Sequence, residues 1–484
     1  MSGGARRGWR RALVVAVTAG FLGTTAACGG STEGRPQTVG DVAGLPVTHF
    51  ESGLKPDAPA PDLRVQGVTD SVEDRIAVAS IADVSDYWAQ TLPAAFDGQP
   101  FEPVKKLLSY DPDGDETEAC GTPTSEAAMN AFYCPTEDLV AWDRGQLLPF
   151  LRDRFGEMAV VTVLGHEFGH AIQYRLADKT GVDEQTKTIV KEQQADCFTG
   201  GYFRWMAEGR SKYFAVSTSD GLNEVMASLY FIRDQAGKSA TEKGAHGSAF
   251  DRTFAFQTGF EKGAKDCAGM NLENIEARIT EQPFDKGDVG EGDVKVDKAL
   301  LGKLTKSLDG AFAAAGVPGP KVVEGKGSCA NGPDTAPASY CPGDNTVNID
   351  LGKLKELGRP ADKEAELEGG PATSLGDFAA LAEVASRYTQ GIQAGVGASL
   401  DNSNAGLRTS CLVGAWAAAV SKPNSSDLRL SAGDLDEAIA ELLQPRSLIA
   451  ADVNGNQAPS GFARVESLRR GYLEGSPACT QQYG

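Results

Sequence analysis

The residues best suited to chemistry in this 484-residue chain are two histidines, His166 and His170, with Glu167 directly after the first. Residues four apart lie on one face of an α-helix, so both imidazoles can bind the same metal ion. Glu167 then lies beside that ion, where a general base is needed. The His-Glu-x-x-His spacing therefore indicates a zinc hydrolase, although so short a pattern also occurs by chance.

A catalytic zinc takes three protein ligands and leaves its fourth position to water. We predict that Glu192, on a helical stretch after the motif, is the third ligand. Asp196 lies one turn further on the same helix face, where it can accept the free ring N–H of His166 and fix its tautomer. The alternative is that Glu192 and Asp196 are surface acids of an amphipathic helix.

Helices must position these residues, and apolar periodicity predicts a motif helix over residues 154–176. The same pattern predicts further helices at 71–92, 188–208, 222–235 and after 249, with an edge-type strand at 139–142. The fold class is therefore mainly α with a small β component. A strand placed before the motif helix is expected to pair with an extended peptide substrate.

Eight cysteines form two sets of four that recur in order, with matching neighbours, about 210 residues apart. An even count suits disulfides in an oxidising compartment. Because duplicated halves should share one backbone, we favour the same two bridges in each half, and other symmetric pairings stay open. The favoured pairs are Cys120–Cys134 and Cys197–Cys267, then Cys329–Cys341 and Cys411–Cys479.

The second half lacks the chemistry of the first. The internal alignment places Ser386, Arg387 and Gln390 opposite the motif residues, Gly406 and Ser410 opposite Glu192 and Asp196, and Ala458 opposite His246. We predict a zinc-binding domain at 65–281, an acidic linker at 282–298 and a degenerate, metal-free copy of the same fold at 299–484. The two copies are expected to pack as an intramolecular pseudo-dimer.

The amino terminus has the pattern of an export signal. Four arginines precede an uncharged apolar stretch at 12–27, and small residues lead into Cys28, as in the lipobox of bacterial lipoproteins. Thr25 replaces the usual leucine, so lipidation of Cys28 and simple cleavage both stay open. We expect a flexible tether at 28–64 and attachment to the outer side of the cell membrane. The net charge of -20 argues against nucleic-acid binding.

Several separated blocks resemble one family, the bacterial neutral zinc metallopeptidases, which are related in motif to gluzincins such as thermolysin. These blocks are Cys-Gly at 120, Phe-Tyr-Cys-Pro at 132, His-Glu-Phe-Gly-His-Ala-Ile-Gln at 166, Gln-Ala-Asp-Cys at 194 and His-Gly-Ser at 246. The resemblance implies a zincin-like fold, a zinc cofactor held by His166, His170 and Glu192, and peptide-bond hydrolysis. It also implies that Glu167 is the general base acting on a zinc-bound water.

One further catalytic residue is suggested by elimination. The chain has four histidines, and His49 falls in the predicted tether, which leaves His246 as a donor for the developing oxyanion. The alternative for His246 is a residue of a surface turn. For the whole chain, the alternative to a peptidase is a non-catalytic envelope protein that keeps the peptidase fold for binding or scaffolding.

Overall fold

The computed structural model describes residues 41–280, 282–286, 288, 292–361, 374–422 and 426–484. The described residues belong to one compact unit, which is mainly helical with short strands, as the sequence predicts. The predicted signal segment at 1–27, Cys28 and the first part of the predicted tether lie outside the described residues.

The first half holds the predicted motif helix. Its strands are β1 (Asp41–Val42), β2 (Leu45–Pro46), β3 (Gly53–Leu54), β4 (Lys106–Tyr110), β5 (Glu118–Ala119), β6 (Thr122–Pro123), β7 (Ala131–Cys134), β8 (Leu139–Asp143) and β9 (Phe214–Ala215). Its helices are α1 (Val72–Ala95), α2 (Leu147–Phe155), α3 (Glu157–Arg175), α4 (Ala177–Thr180), α5 (Thr188–Ala207), α6 (Asp220–Phe231), α7 (Ala249–Lys262), α8 (Ala264–Ala268) and α9 (Leu272–Glu276).

Among the described residues, the second half has fewer strands and helices than the first. Its strands are β10 (Lys321–Glu324), β11 (Ala338–Cys341) and β12 (Thr346–Ile349). Its helices are α10 (Lys298–Phe312), α11 (Leu351–Leu357), α12 (Asp377–Gly395), α13 (Ala405–Ser421), α14 (Asp434–Leu443), α15 (Gly461–Glu474) and α16 (Ser476–Tyr483).

Each half has a three-stranded sheet with one parallel and one antiparallel pair. The strand order is β4-β8-β7 in the first half and β10-β12-β11 in the second. The prediction of an edge strand at 139–142 is wrong, because β8 lies at the centre and all five of its residues are buried. The edge that remains open beside the motif helix belongs to β7.

The predicted motif helix is interrupted at Gly156, which has a φ of 94°. This backbone conformation is not helical, so α2 ends and α3 begins at Gly156. Glycine adopts the conformation without the strain that a side chain would cause. The carboxylate of Glu224 lies over the glycine and accepts the Met158 amide at 3.2 Å. The helix boundary is therefore set by a residue from α6, which local periodicity cannot indicate.

The prediction of a flexible tether at 28–64 is wrong for residues 41–64, which pack on the first half. Val42 is fully buried, and β3 pairs with β9. The Leu54 amide donates to the Glu157 carboxylate at 2.7 Å, so this segment contacts the first turn of α3. A stretch rich in Gly, Pro and Asp is therefore ordered here by long-range pairing.

Val296 joins the second core and Asp297 caps α10, so the second half begins within the predicted linker.

The two halves contact each other reciprocally. Phe462, from α15, packs in the core of the first half, and Phe250, from α7, packs in the core of the second. The Phe250 amide donates to Asp436 at 3.0 Å, and the Gly461 amide donates to Asn223 at 2.6 Å. Each half therefore completes the other's core through the start of one helix.

The structure contains the four disulfides of the favoured pairing, two in each half. They are Cys120–Cys134, Cys197–Cys267, Cys329–Cys341 and Cys411–Cys479. In each half the first bridge joins the chain before the edge strand to that strand's end. The second bridge joins α5 to α8 in the first half and α13 to α16 in the second half.

Candidate metal centre

Close packing of α3 on α5 positions the candidate ligands. Gly169 makes this approach possible, because a Cβ there would lie 3.0 Å from the backbone of Ala195. Both helices are buried over most of their length, so the apolar side chains around the polar residues fix their relative rotation. His166 and His170 of α3 therefore face Glu192 of α5.

The three predicted ligands converge on one point. Nε2 of His166 lies 3.1 Å from one carboxylate oxygen of Glu192, and Nε2 of His170 lies 3.5 Å from the other. One ligand atom from each residue lies within 4.8 Å of the others. A tetrahedral zinc with bonds of about 2.1 Å places its ligands about 3.4 Å apart. These donor separations therefore fit zinc.

The outer ring nitrogens are held by other residues. Nδ1 of His166 lies 2.7 Å from the Asp196 carboxylate, and Nδ1 of His170 lies 3.0 Å from the amide oxygen of Gln173. Donation from Nδ1 leaves Nε2 of each ring as the acceptor that a metal requires. The Asp196 carboxylate is fully buried, and Arg252 donates to the same carboxylate oxygen at 2.9 Å. The guanidinium thereby balances the negative charge of Asp196.

The electrostatics of the site favour a cation. Burial by itself lowers the pKa of His166, but the carboxylates of Asp196 and Glu192 outweigh burial and raise the pKa to about 10. Burial also acts against the charged form of Glu192, yet the two histidines hold the pKa of this carboxyl well below its ordinary value. The buried space between these side chains therefore favours a positive charge, as a site for a divalent metal ion should.

Glu167 lies beside the ligands without joining them. Its carboxylate accepts a hydrogen bond from the Tyr133 amide of β7 at 3.0 Å, which fixes one oxygen. Burial raises the pKa of Glu167, while the two neighbouring imidazoles lower it. The arrangement suits a carboxylate that takes a proton from water next to the metal and later releases it.

His246 lies in the segment before α7 and pairs with Asp234. Its Nδ1 donates to the Asp234 carboxylate at 3.4 Å, and the same carboxylate accepts the His246 and Gly247 amides. The side chain is half-exposed. Among the described residues its polar contacts reach Asp234 and none of the three ligands.

Among the described residues, no group of candidate metal ligands includes the aligned positions 386–390 and 406–410 of the second half. Arg387 is fully buried in α12 and donates to the backbone carbonyls of Leu448, Ala451 and Asp452 at 2.8 to 3.1 Å. A guanidinium with three carbonyl acceptors is a structural link between α12 and the loop before α15.

Two imidazoles and a carboxylate on adjacent helices, with oriented tautomers and a neighbouring glutamate, define the protein as one with a zinc-hydrolase type of site. Residues 46–270 match the model of the family described as "Putative neutral zinc metallopeptidase". The resemblance inferred from the motif blocks is confirmed, and the match begins earlier than those blocks do. No significant match is found among curated proteins or among solved structures.

Sequence reasoning missed several residues that support the site. These are Gln173 beside His170, Arg252 beside Asp196, the Tyr133 amide beside Glu167, and Asp234 beside His246. The sequence held a signal for Gln173 and Arg252, because the internal alignment pairs them with Gln393 and Arg464 of the second half. Within the described part of the chain, none of the helices is both long and apolar enough to cross a membrane.

Proposed function

We propose that this protein hydrolyses peptide bonds with zinc held by His166, His170 and Glu192 and with Glu167 as the general base. The observation that carries the proposal is the convergence of the three ligands at zinc spacing beside a carboxylate that is not itself a ligand. When bound, zinc supplies a Lewis acid that polarises the scissile carbonyl and makes water more acidic.

Proton transfer and the orientation of the ligands are assigned to residues of the chain. Glu167 removes the proton from the water that attacks the carbonyl carbon, and it then delivers that proton to the departing amine. The Tyr133 amide holds one of its oxygens, which leaves the other for water. Asp196 and Gln173 keep both imidazoles in one tautomer throughout.

The open edge of β7 is the proposed binding strand for an extended substrate. The Asp143 amide donates to the Asn130 carbonyl, and the alternation of an antiparallel pair then turns the backbone groups of Ala131 and Tyr133 away from β8. Backbone pairing of this kind gives affinity with little side-chain selectivity. The bonded Tyr133 amide places the edge directly beside Glu167.

His246 is the proposed donor to the developing oxyanion. Asp234 accepts from Nδ1, which directs Nε2 away from the Asp234 carboxylate. Donors aimed at the oxyanion each contribute about 10²- to 10³-fold to the rate. If His246→Ala cleaves peptides as fast as the wild type, the surface-turn alternative is correct.

The second half is proposed to be a degenerate copy of the first, packed on it as an intramolecular pseudo-dimer. The reciprocal contacts of Phe250 and Phe462 support this, because an isologous interface repeats each contact with the partners exchanged. The matching sheet orders support it independently. An experimental structure in which 377–421 could not be superposed on 157–207 would contradict the duplication.

The proposed location is the outer side of the cell membrane, with a lipid on Cys28. The apolar stretch at 12–27 and the even set of eight cysteines in the rest of the chain support export. Mass spectrometry of the membrane-extracted protein tests this: an acylated amino-terminal Cys28 is expected, and an unmodified residue at that position would contradict lipidation.

The experiment that tests the activity uses the zinc-loaded full chain and an unstructured fluorogenic peptide. Glu167→Gln should keep the zinc, measured by elemental analysis, and lose about 10²- to 10⁴-fold in kcat. The control Glu276→Gln, at an exposed position at the end of α9, should keep both. A wild type that binds zinc but cleaves no peptide would favour the non-catalytic binding or scaffolding protein.

A further inference from the structure

A second group of acidic side chains lies far along the chain from the zinc ligands. One carboxylate oxygen each of Asp293, Asp377 and Glu437 lies within 4.8 Å of the others. Asp293 belongs to the segment that joins the halves, Asp377 is the first residue of α12, and Glu437 lies in the first turn of α14. Three separate parts of the chain therefore bring like charges together.

One of these carboxylates has an unused oxygen. Asp377 is 95% buried and accepts a hydrogen bond from the Val294 amide, but its Oδ1 is buried without a hydrogen-bond partner. A buried oxygen in this state costs about 1–3 kcal/mol, and more when the group is charged. Among the ion pairs of the described residues, none includes Asp377 or Glu437. Oδ1 of Asp377 therefore lacks a donor or a cation, and the carboxylate to which it belongs is part of a group of oxygen ligands.

The surrounding residues preorganise the group. Glu437 accepts the Phe378 amide at 2.8 Å and lies over Gly376, so its position is fixed by the start of α12. Asp434 lies next to the cluster and is held by the amide and hydroxyl of Ser431. A cavity of 260 Å³ reaches both Asp293 and Glu437 and provides a path from solvent.

We propose that Asp293, Asp377 and Glu437 bind a calcium ion, which fixes the segment between the halves to the helices of the second half. Carboxylate oxygens without nitrogen or sulfur ligands select hard cations. Calcium takes about six to eight oxygen ligands in a flexible geometry, whereas magnesium is usually held by one or two carboxylates together with several waters. Three protein carboxylates that lie within 4.8 Å of one another therefore fit calcium better than magnesium.

Calorimetry and thermal unfolding of the zinc-loaded full chain test the proposal with CaCl2 alone. The wild type should bind one equivalent of calcium and unfold at a higher temperature in about 1 mM CaCl2, the upper end of the range for protein calcium sites. Asp377→Asn should bind calcium at least about tenfold more weakly, because affinity depends on the number of charged ligands. Asp285→Asn, which removes an exposed charge from the same segment, should behave as the wild type.

The sign of the effect distinguishes a cation site from a merely structural cluster. In calcium-free buffer Asp377→Asn should be at least as stable as the wild type, since it removes repulsion, and in CaCl2 it should be less stable. Asp293→Asn should show the same reversal. An unfolding temperature that CaCl2 leaves unchanged, calcium binding that Asp377→Asn leaves unchanged, or tighter binding of MgCl2 than of CaCl2 would overturn the proposal.

Discussion

The motif helix α3 and α12, the helix that the internal sequence alignment places opposite it, are built alike but differ in the side chains they present. Each has 19 residues, begins after a glycine with positive φ, and is capped at its start by a glutamate from a neighbouring helix. Glu224 accepts from Met158 in the first half, as Glu437 does from Phe378 in the second. Inside this shared frame, one helix presents two imidazoles to Glu192 and the other presents a guanidinium to three backbone carbonyls.

The difference shows that the frame and the chemistry are specified by different residues. Glycines, caps, disulfides and apolar side chains fix how the helices pack, whereas a few polar positions decide what the packed helices do. The following predictions test this separation, from the largest expected effect to the smallest.

Placing the second-half residues in the first half should abolish the chemistry and keep the fold. The double variant His166→Ser and His170→Gln should lose its zinc and at least about 10⁴-fold in peptide cleavage, since it lacks both the Lewis acid and the water that Glu167 deprotonates. Elemental analysis and a peptide assay measure this. The matched double variant Ser386→Ala and Gln390→Ala should keep zinc and activity, and zinc loss there would break the comparison.

Removing the guanidinium of the second half should affect stability alone. Arg387→Met leaves three backbone carbonyls without their donor and should lower the free energy of unfolding by about 3 kcal/mol. Urea unfolding followed by circular dichroism measures the change. Zinc content should be unchanged while the protein is folded, and Arg446→Met, at an exposed position, is the control. An unaltered unfolding midpoint for Arg387→Met would show that this link is dispensable.

Weakening the residue that orients His166 should have an intermediate effect. Asp196→Asn should reduce zinc affinity by about 10- to 100-fold, because the ring loses its charged acceptor while its ligand nitrogen stays in place. Competition with a chromogenic chelator measures the affinity. Asp183→Asn, on the exposed turn before α5, should bind zinc as tightly as the wild type. Equal affinities for all three proteins would exclude a role for Asp196 at the metal.

The capping glutamate should give the smallest effect, a pH dependence of stability. Burial raises the pKa of Glu224 from an ordinary 4.5 to about 7, against the lowering effect of the Met158 amide. The folded state thus holds the proton more tightly, so this contribution to stability is present below pH 4.5 and is lost as the pH rises to about 7. The charged or titratable neighbours that face Glu224 are Glu157, Asp220, Arg152 and His49.

Glu224→Gln should flatten this part of the stability curve, because its neutral side chain does not titrate. Urea midpoints measured across the window from pH 4.5 to about 7 give the slope for both proteins. Glu276→Gln, which removes an exposed carboxylate, should keep the wild-type slope. The prediction would be contradicted by a Glu224→Gln slope equal to that of the wild type.

The sequence by itself predicted the candidate ligand set, the helices that carry it and the favoured cysteine pairing. Sequence analysis could predict the roles of His166, Glu167 and His170, because helical periodicity is local and the required spacing is fixed by 3.6 residues per turn. The disulfide pairing could be predicted because the chain contains a second set of four cysteines in the same order. The family match to residues 46–270 agrees with the motif blocks on which the resemblance was based.

Only the tertiary structure decided the features that depend on contacts between distant segments. It placed β7 at the sheet edge beside Glu167, ended α2 at Gly156 under Glu224, and packed residues 41–64 onto the first half. It also brought Asp377 beside Glu437. The physical reason is the same in each case: such hydrogen bonds, buried charges and strand pairs are formed by partners tens to hundreds of residues away, and local propensity carries no information about them.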